Sequence, residues 1–418
     1  MKKTLIFVLI AAIVSTFQQQ TIAQAEQSQR YLYEIGIVDS LYSNILEEQR
    51  EIWVHLPDSY GPDSYNTYPV VYVLDGGVHM KGLETVYEYY RGHHLPDMIL
   101  VGISNRANRT RDLTTSQIKW RNGGPVREET GGAETFTQFI ESELIPYIDR
   151  KYPTTPFRTL IGHSYAGLFA INTLFNHPQL FENYIAIDPS LDWDNQKLLK
   201  QAKVDLQNKN FQGKSLFLTL AGGQLHMLNG EITIDNIMQD TSDYTLVARS
   251  IIEFSTFAEN QKQSGLDFSW TYYPDDYHWT IPLPSIRDGL IAQFEWYQLK
   301  SATKYSNPDT SLEDLLDLIK NRERTLADHF GYSSPPLVEE LCNQLGYMFM
   351  QFEQPQKSYT FFKMGIDYYS ESANAFDSMA DYYESQMDYD NALRCVSKAF
   401  EISGKVHYKK RMEDLKKK

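Results

Sequence analysis

Between about residues 31 and 300 the chain alternates short apolar runs with amphipathic ones. Residues 68–75 (YPVVYVLD) form a near-continuous apolar run stopped by Gly76 and Gly77. That is the pattern of a strand covered on both faces. Residues 98–104 repeat it, and residues 50–57 read as a strand ended by Pro57. Four more short strands are predicted over 158–161, 184–187, 215–220 and 268–273. Residues 136–152 place Phe136, Phe139, Ile140, Leu144, Tyr147 and Ile148 on one helical face. Pro146 interrupts that helix and predicts a kink. Further helices are expected over 165–175, 245–258 and 285–299. Strands alternating with helices imply an α/β fold, a mostly parallel sheet with helices on both faces.

From about residue 310 the strand signal disappears and a repeat of 34 residues takes over. Leu345-Gly346 matches Met379-Ala380, Ser358 matches Ala392, Phe362 matches Val396 and Gly365 matches Ala399. The spacing resembles the tetratricopeptide repeat, whose helix pairs need small and large residues at these places. A helix over 311–329 precedes the repeats, as a third layer or as a dock onto the α/β part. The expected division is a targeting segment over 1–25, an α/β domain over 26–305 and an all-α domain over 306–418. The repeats offer a surface for a protein partner.

Lys2 and Lys3 open the chain, an apolar run from Leu5 to Val14 follows, and Ala23-Gln24-Ala25 has the form of a cleavage site. These are the parts of a signal peptide, and the run is too short to span a bilayer. A periplasmic or secreted protein without a membrane span is expected. The net charge of −15 argues against a broad nucleic-acid or anionic-membrane footprint. Cys342 and Cys395, the two cysteines, fall in predicted helices and read as small hydrophobes. The 29 tyrosines read mainly as core and repeat-packing residues.

The strongest local signal is Gly162-His163-Ser164-Tyr165-Ala166-Gly167, between a predicted strand and a predicted helix. This is the setting of a nucleophile elbow, in which small residues two before and two after the serine let a tight turn close. Gly162 and Ala166 meet that demand. A serine hydroxyl needs a base at neutral pH. Of His177, His226, His278 and His329, His278 is best placed, in a loop just after the last strand. An acid lying between serine and histidine in chain order is expected within 220–245, where Glu231, Asp235, Asp240 and Asp243 stand. Asp240 is the first choice and Asp243 the second. An oxyanion hole needs two backbone N–H groups; Tyr165 and Gly77 are the candidates.

At these residues the chain resembles the esterase D family of α/β-hydrolases, and especially its enterochelin-esterase-like branch. The resemblance covers about residues 35–300. It rests on Ser43-Asn-Ile-Leu46, Arg50, Leu56-Pro57, Tyr68-Pro69, Leu74-Asp75-Gly76, Arg111-Asp112-Leu113-Thr114, the elbow, and Asp188-Pro189-Ser190-Leu191 with Trp193. It implies a carboxylic-ester hydrolase that uses a serine, a histidine and an acid, with no metal or cofactor. Ser164, His278 and the amides of Gly77 and Tyr165 would carry the family roles. Related mycolyltransferases and formylglutathione hydrolases keep the acid near a helix like 245–258, which points to Asp240 or Asp243. The expected activity is an exported serine esterase forming an acyl-enzyme on Ser164, acting on small siderophore-type esters. Glycan-linked feruloyl or acetyl esters are the alternative substrates, and a non-enzymatic adaptor using the repeats is the rival role. A metallohydrolase is disfavoured: no H-E-x-x-H occurs, and His93 and His94 are adjacent rather than spaced for one helix face.

Overall fold

The computed structural model describes residues 33–61, 66–92, 94–121, 124–225 and 231–418. It divides into two units, Met1–Ile37 and Val38–Lys418. Only residues 33–37 of the first are described, so the expected signal peptide lies outside the described residues.

Among the described residues, eight strands form the main sheet, in the order β1-β2-β4-β3-β7-β8-β9-β10. They are β1 (Ile37–Ser43), β2 (Glu48–His55), β3 (Tyr68–Leu74), β4 (Ile99–Ile103), β7 (Thr154–His163), β8 (Asn183–Ile187), β9 (Ser215–Ala221) and β10 (Asp267–Tyr273). A two-residue ribbon, β5 (Trp120–Arg121) with β6 (Gly124–Pro125), lies apart from it. β2 runs antiparallel to β4, and every pairing from β4 to β10 is parallel. Every residue of β3, β4 and β8 is buried, as their unbroken apolar runs require. From β3 the chain crosses first to β4 and later back to β7, so strand order reverses beside β3. The loops leaving β3, β7, β8 and β10 therefore emerge at one end of the sheet around a switch point, where open α/β sheets place their ligands.

The helices are α1 (Gly76–Tyr90), α2 (Arg109–Leu113), α3 (Ala133–Phe139), α4 (Ile145–Lys151), α5 (Tyr165–Asn176), α6 (Trp193–Asn208), α7 (Leu246–Glu259) and α8 (Pro282–Gln293). The kink expected at Pro146 takes the form of a π turn, Ile140–Leu144, between α3 and α4. Proline lacks an N–H and its ring crowds the carbonyl four residues back. The wider turn relieves both, and Pro146 stands in the first turn of α4. α1 is a helix the breaker reading of Gly76-Gly77 does not predict. A Cβ on Gly76 would lie 2.7 Å from the Gly102 carbonyl carbon, so the glycine is there for close approach of α1 to β4.

Beyond α8 only helices follow: α9 (Ala302–Ser306), α10 (Leu312–Phe330), α11 (Glu339–Gln351), α12 (Pro355–Tyr368), α13 (Ala373–Ser385), α14 (Tyr389–Ser403) and α15 (Val406–Leu415). α10 starts on a Ser311 cap, whose hydroxyl accepts from the Asp314 amide at 3.0 Å, and ends at Gly331 with φ 76°. Its C-terminal end docks on the sheet-bearing part through aromatic rings. Phe330 packs edge-on against Phe157 (5.2 Å between centroids) and Trp296 (4.8 Å), and the Tyr332 hydroxyl donates to Thr155 Oγ1 at 3.0 Å. The 34-residue repeat corresponds to two helix pairs, α11 with α12 and α13 with α14. Its small residues sit where helices touch: a Cβ on Gly346 would meet the Phe362 ring at 2.6 Å, and Ser358 donates to the Gly346 carbonyl at 2.9 Å. Cys342 is buried in α11, Cys395 is partly buried in α14, and both are free thiols.

Candidate active site

β7 ends at His163 and α5 begins at Tyr165, leaving Ser164 alone in the turn with φ 62° and ψ −116°. A side chain is rarely held at positive φ, and such strain concentrates at functional sites. Gly162 makes the turn possible: a Cβ there would stand 2.1 Å from the Ala166 carbonyl oxygen. The Ser164 amide donates to the Ile187 carbonyl at 2.9 Å, and the Ser164 carbonyl accepts from Ser190 at 3.2 Å. The elbow is thus bonded to both sides of Asp188, the first residue past β8.

His278 lies in the turn after β10. Thr280 shapes that turn, accepting the Tyr277 amide and donating to Asp276, both at 2.9 Å. His278 Nδ1 meets Asp188 Oδ2 at 2.6 Å. Asp188 is fully buried, has φ 41°, and its other oxygen accepts the Ala221 amide at 3.1 Å. A carboxylate so held fixes the Nδ1–H tautomer and leaves Nε2 free as a base. His278 also lies beside the elbow, with its ring centroid 4.4 Å from that of His163.

The acid expected at Asp240 is corrected by this contact. Asp240 accepts from the hydroxyls of Ser242 and of Thr245 (2.6 Å) near the start of α7, and those bonds lower its pKa. Asp243 is exposed in the 3₁₀ turn Asp243–Thr245. Both belong to the entry of α7 rather than to the imidazole. The carboxylate that meets the imidazole follows β8, the strand next to the one that leads into Ser164, and not β9.

Tyr165 and Gly77, the expected oxyanion donors, stand at the first and second positions of α5 and α1. Amides in a first helical turn have no acceptor within their helix. Arg109, which sequence reasoning did not single out, ties the two loops together. Its guanidinium donates to both Asp75 oxygens, at 3.0 and 2.9 Å, and to the His163 carbonyl at 3.2 Å. Asp75 itself is left-handed at φ 54°, and its amide donates to Asn105 Oδ1 at 3.2 Å. On the far side, Arg121 grips Asp192 through two nitrogens and faces the Tyr165 ring at 5.0 Å. Arg111 and Asp112, in the same short helix as Arg109, join a charged cluster: buried Arg50 donates to Asp112 Oδ2 at 2.8 Å, and Arg111 reaches Glu48 at 2.7 Å. Among the described residues, no group of three or more His, Cys, Asp or Glu side chains is arranged to hold a metal ion.

The Putative esterase family model matches residues 43–220. The ferri-bacillibactin esterase BesA of Bacillus subtilis is 32% identical over 207 residues, 45% of this chain and 71% of that protein. The chain belongs to the Putative esterase family. A siderophore triacetylfusarinine C esterase of Aspergillus fumigatus is 28% identical over 173 residues, 38% of this chain and 57% of the fungal protein. Among solved structures, an IroE-like serine hydrolase from Shewanella oneidensis is 26% identical with a TM-score of 0.65, over 79% of this chain and 98% of that one. A protein from Capnocytophaga ochracea, 18% identical, has the same fold over 91% of this chain and 99% of its own, with a TM-score of 0.57. This esterase is thus a serine-type carboxylic-ester hydrolase of α/β-hydrolase fold with a C-terminal helical region.

Proposed function

We propose that this esterase is an exported hydrolase of siderophore-type esters that works through an acyl-enzyme on Ser164, with His278 as base and Asp188 as its acid. The observation that carries the reading is the 2.6 Å contact between His278 Nδ1 and a buried carboxylate, beside a serine in a strained elbow. In the first step His278 Nε2 takes the Ser164 proton while Oγ attacks the ester carbonyl. The oxyanion is received by the Tyr165 and Gly77 amides, the alcohol leaves with the proton from His278, and water then repeats the sequence to release the acid. Asp188 stabilises the imidazolium that each step forms.

The substrate class is drawn from the relatives, one named a ferri-bacillibactin esterase and one a siderophore triacetylfusarinine C esterase. Export rests on the basic, apolar and small-residue pattern of residues 1–25. The division into an esterase part to residue 305 and a helical part after it belongs to the same proposal. A panel of purified esters tests it: siderophore trilactones, p-nitrophenyl acetate, and feruloylated and acetylated polysaccharide. Siderophore esters should be cleaved with the highest kcat/KM, and Ser164→Ala should abolish turnover of all. Preference for the polysaccharide esters would overturn the substrate, and undiminished turnover by the Ser164 variant would overturn the mechanism.

A further inference from the structure

The ring that precedes the nucleophile has no part in the serine–histidine–acid relay, yet it is packed into the site. His163 lies against the base with centroids 4.4 Å apart and planes tilted by 41°. His79, from the first turns of α1, meets its other side edge-on at 5.5 Å and 88°. We propose that His163 is a positioning residue for the base, a neutral imidazole that pins the turn carrying His278 to the elbow. The proposal rests on the serine-esterase reading above and adds a residue to it.

Two features of the ring support the assignment. The His278 main chain lies where it favours a proton on the His163 ring, while Nε2 is buried without a partner among the described residues. A neutral imidazole carries one donor and one acceptor nitrogen. With Nε2 left as an unprotonated lone pair, the ring proton sits on Nδ1, the nitrogen on offer to the His278 main chain. That tautomer avoids burying an unmet N–H, the less tolerated of the two choices. The surroundings keep the ring uncharged: burial comes first, and His278, His79 and Arg109 add to it. The acidic groups nearby are already engaged, Asp75 by Arg109 and Asp188 by His278. A cation at His163 would oppose the imidazolium that His278 becomes during the reaction. A neutral ring gives the base a fixed wall and a backbone anchor at once.

Three variants of the full chain separate these functions, assayed with p-nitrophenyl acetate for kcat and KM and by thermal unfolding. His163→Ala removes wall and anchor; kcat should fall about 10- to 100-fold with KM within about threefold, as expected when a catalytic group is displaced by an ångström or so. His163→Asn puts Nδ2 where the ring Nδ1 stands and should recover most of kcat. His163→Phe keeps the wall without the donor and should recover less. If all three keep kcat within about threefold of the parent, the positioning role is overturned. It is also overturned if the alanine loss falls on KM, or if Asn fails to rescue a variant that unfolds at the parental temperature. Parent protein that neither turns over the ester nor reacts with a fluorophosphonate would instead remove the esterase reading itself.

Discussion

Replacing Asp188 by Asn keeps the side chain's shape and removes its charge, which isolates the electrostatic contribution of the acid. Asp188 is fully buried, 2.6 Å from His278 Nδ1, with its second oxygen on the Ala221 amide. On the proposed mechanism the parent carboxylate faces a neutral ring before attack and an imidazolium in the transition state. With charge centres about 4 Å apart and an effective dielectric constant near 20, that attraction amounts to about 4 kcal/mol. It develops only as the proton moves, so it lowers the barrier rather than the dissociation constant of the substrate. At about 1.36 kcal/mol per decade, kcat should fall about 10³-fold with little change in KM. An asparagine amide that donates to Nδ1 would also hold the wrong tautomer and deepen the loss. The assay is steady-state hydrolysis of p-nitrophenyl acetate beside Asp240→Ala, whose parent carboxylate serves Ser242 and Thr245. The alanine variant should stay within about twofold of the parent, as expected of a side chain with no link to the site. A loss under about tenfold in Asp188→Asn, or a larger loss in Asp240→Ala, would refute the reasoning.

Other outcomes follow from the same geometry. Gly162→Ala should cost about 3 kcal/mol or more and give little folded protein, because the new Cβ meets backbone atoms of Ala166 at 2.1 and 2.3 Å; soluble expression and thermal unfolding read it. Arg109→Met should lower kcat about 10-fold or more, since the Asp75 loop and the elbow lose their common donor; parental kcat would break the link between those loops. Burial pushes the His163 pKa down to about 2, with His278, His79 and Arg109 adding to the shift. The unfolded chain therefore binds a proton there below about pH 6.5 that the folded chain does not, so stability falls as pH falls from 6.5 toward 2. The loss is about 1.4 kcal/mol per pH unit, or about 2–3 kcal/mol by pH 4.5. Denaturant titrations at pH 7.5 and 4.5 should show that slope reduced in His163→Phe, and an unchanged slope would contradict it.

Much of this was readable from residue order. The buried run of β3 and the strand–turn–helix setting of Gly162-His163-Ser164 are local, so pattern alone locates them. The placement of His278 beside the elbow was also accessible, because a histidine just past the last strand of the sheet returns to the strand ends. The carboxylate that meets its ring was not, since that depends on which strand ends face each other. Nothing within 183–188 records that β8 lies between β7 and β9, and the same segment reads equally well as a plain buried strand. The signal that was present is an aspartate immediately after a fully buried strand, in the Asp188-Pro189-Ser190-Leu191 block. α1 was hidden for a different reason. Gly76-Gly77 reads as a breaker, although Met80, Leu83, Val86 and Tyr87 are buried at helical spacing behind it. The tertiary approach to Gly102, and not turn chemistry, explains Gly76. α6 opens with three left-handed residues, Asp194, Asn195 and Gln196, a turn that no local propensity forecasts.

The account stands or falls on the reactivity of one hydroxyl. Intact protein treated with a fluorophosphonate and digested for peptide mass spectrometry should carry a single adduct on the peptide containing Ser164. Asp188→Asn should label far more slowly, and Ser164→Ala not at all. An unmodified Ser164 in a folded protein, or an adduct on another residue, would contradict it.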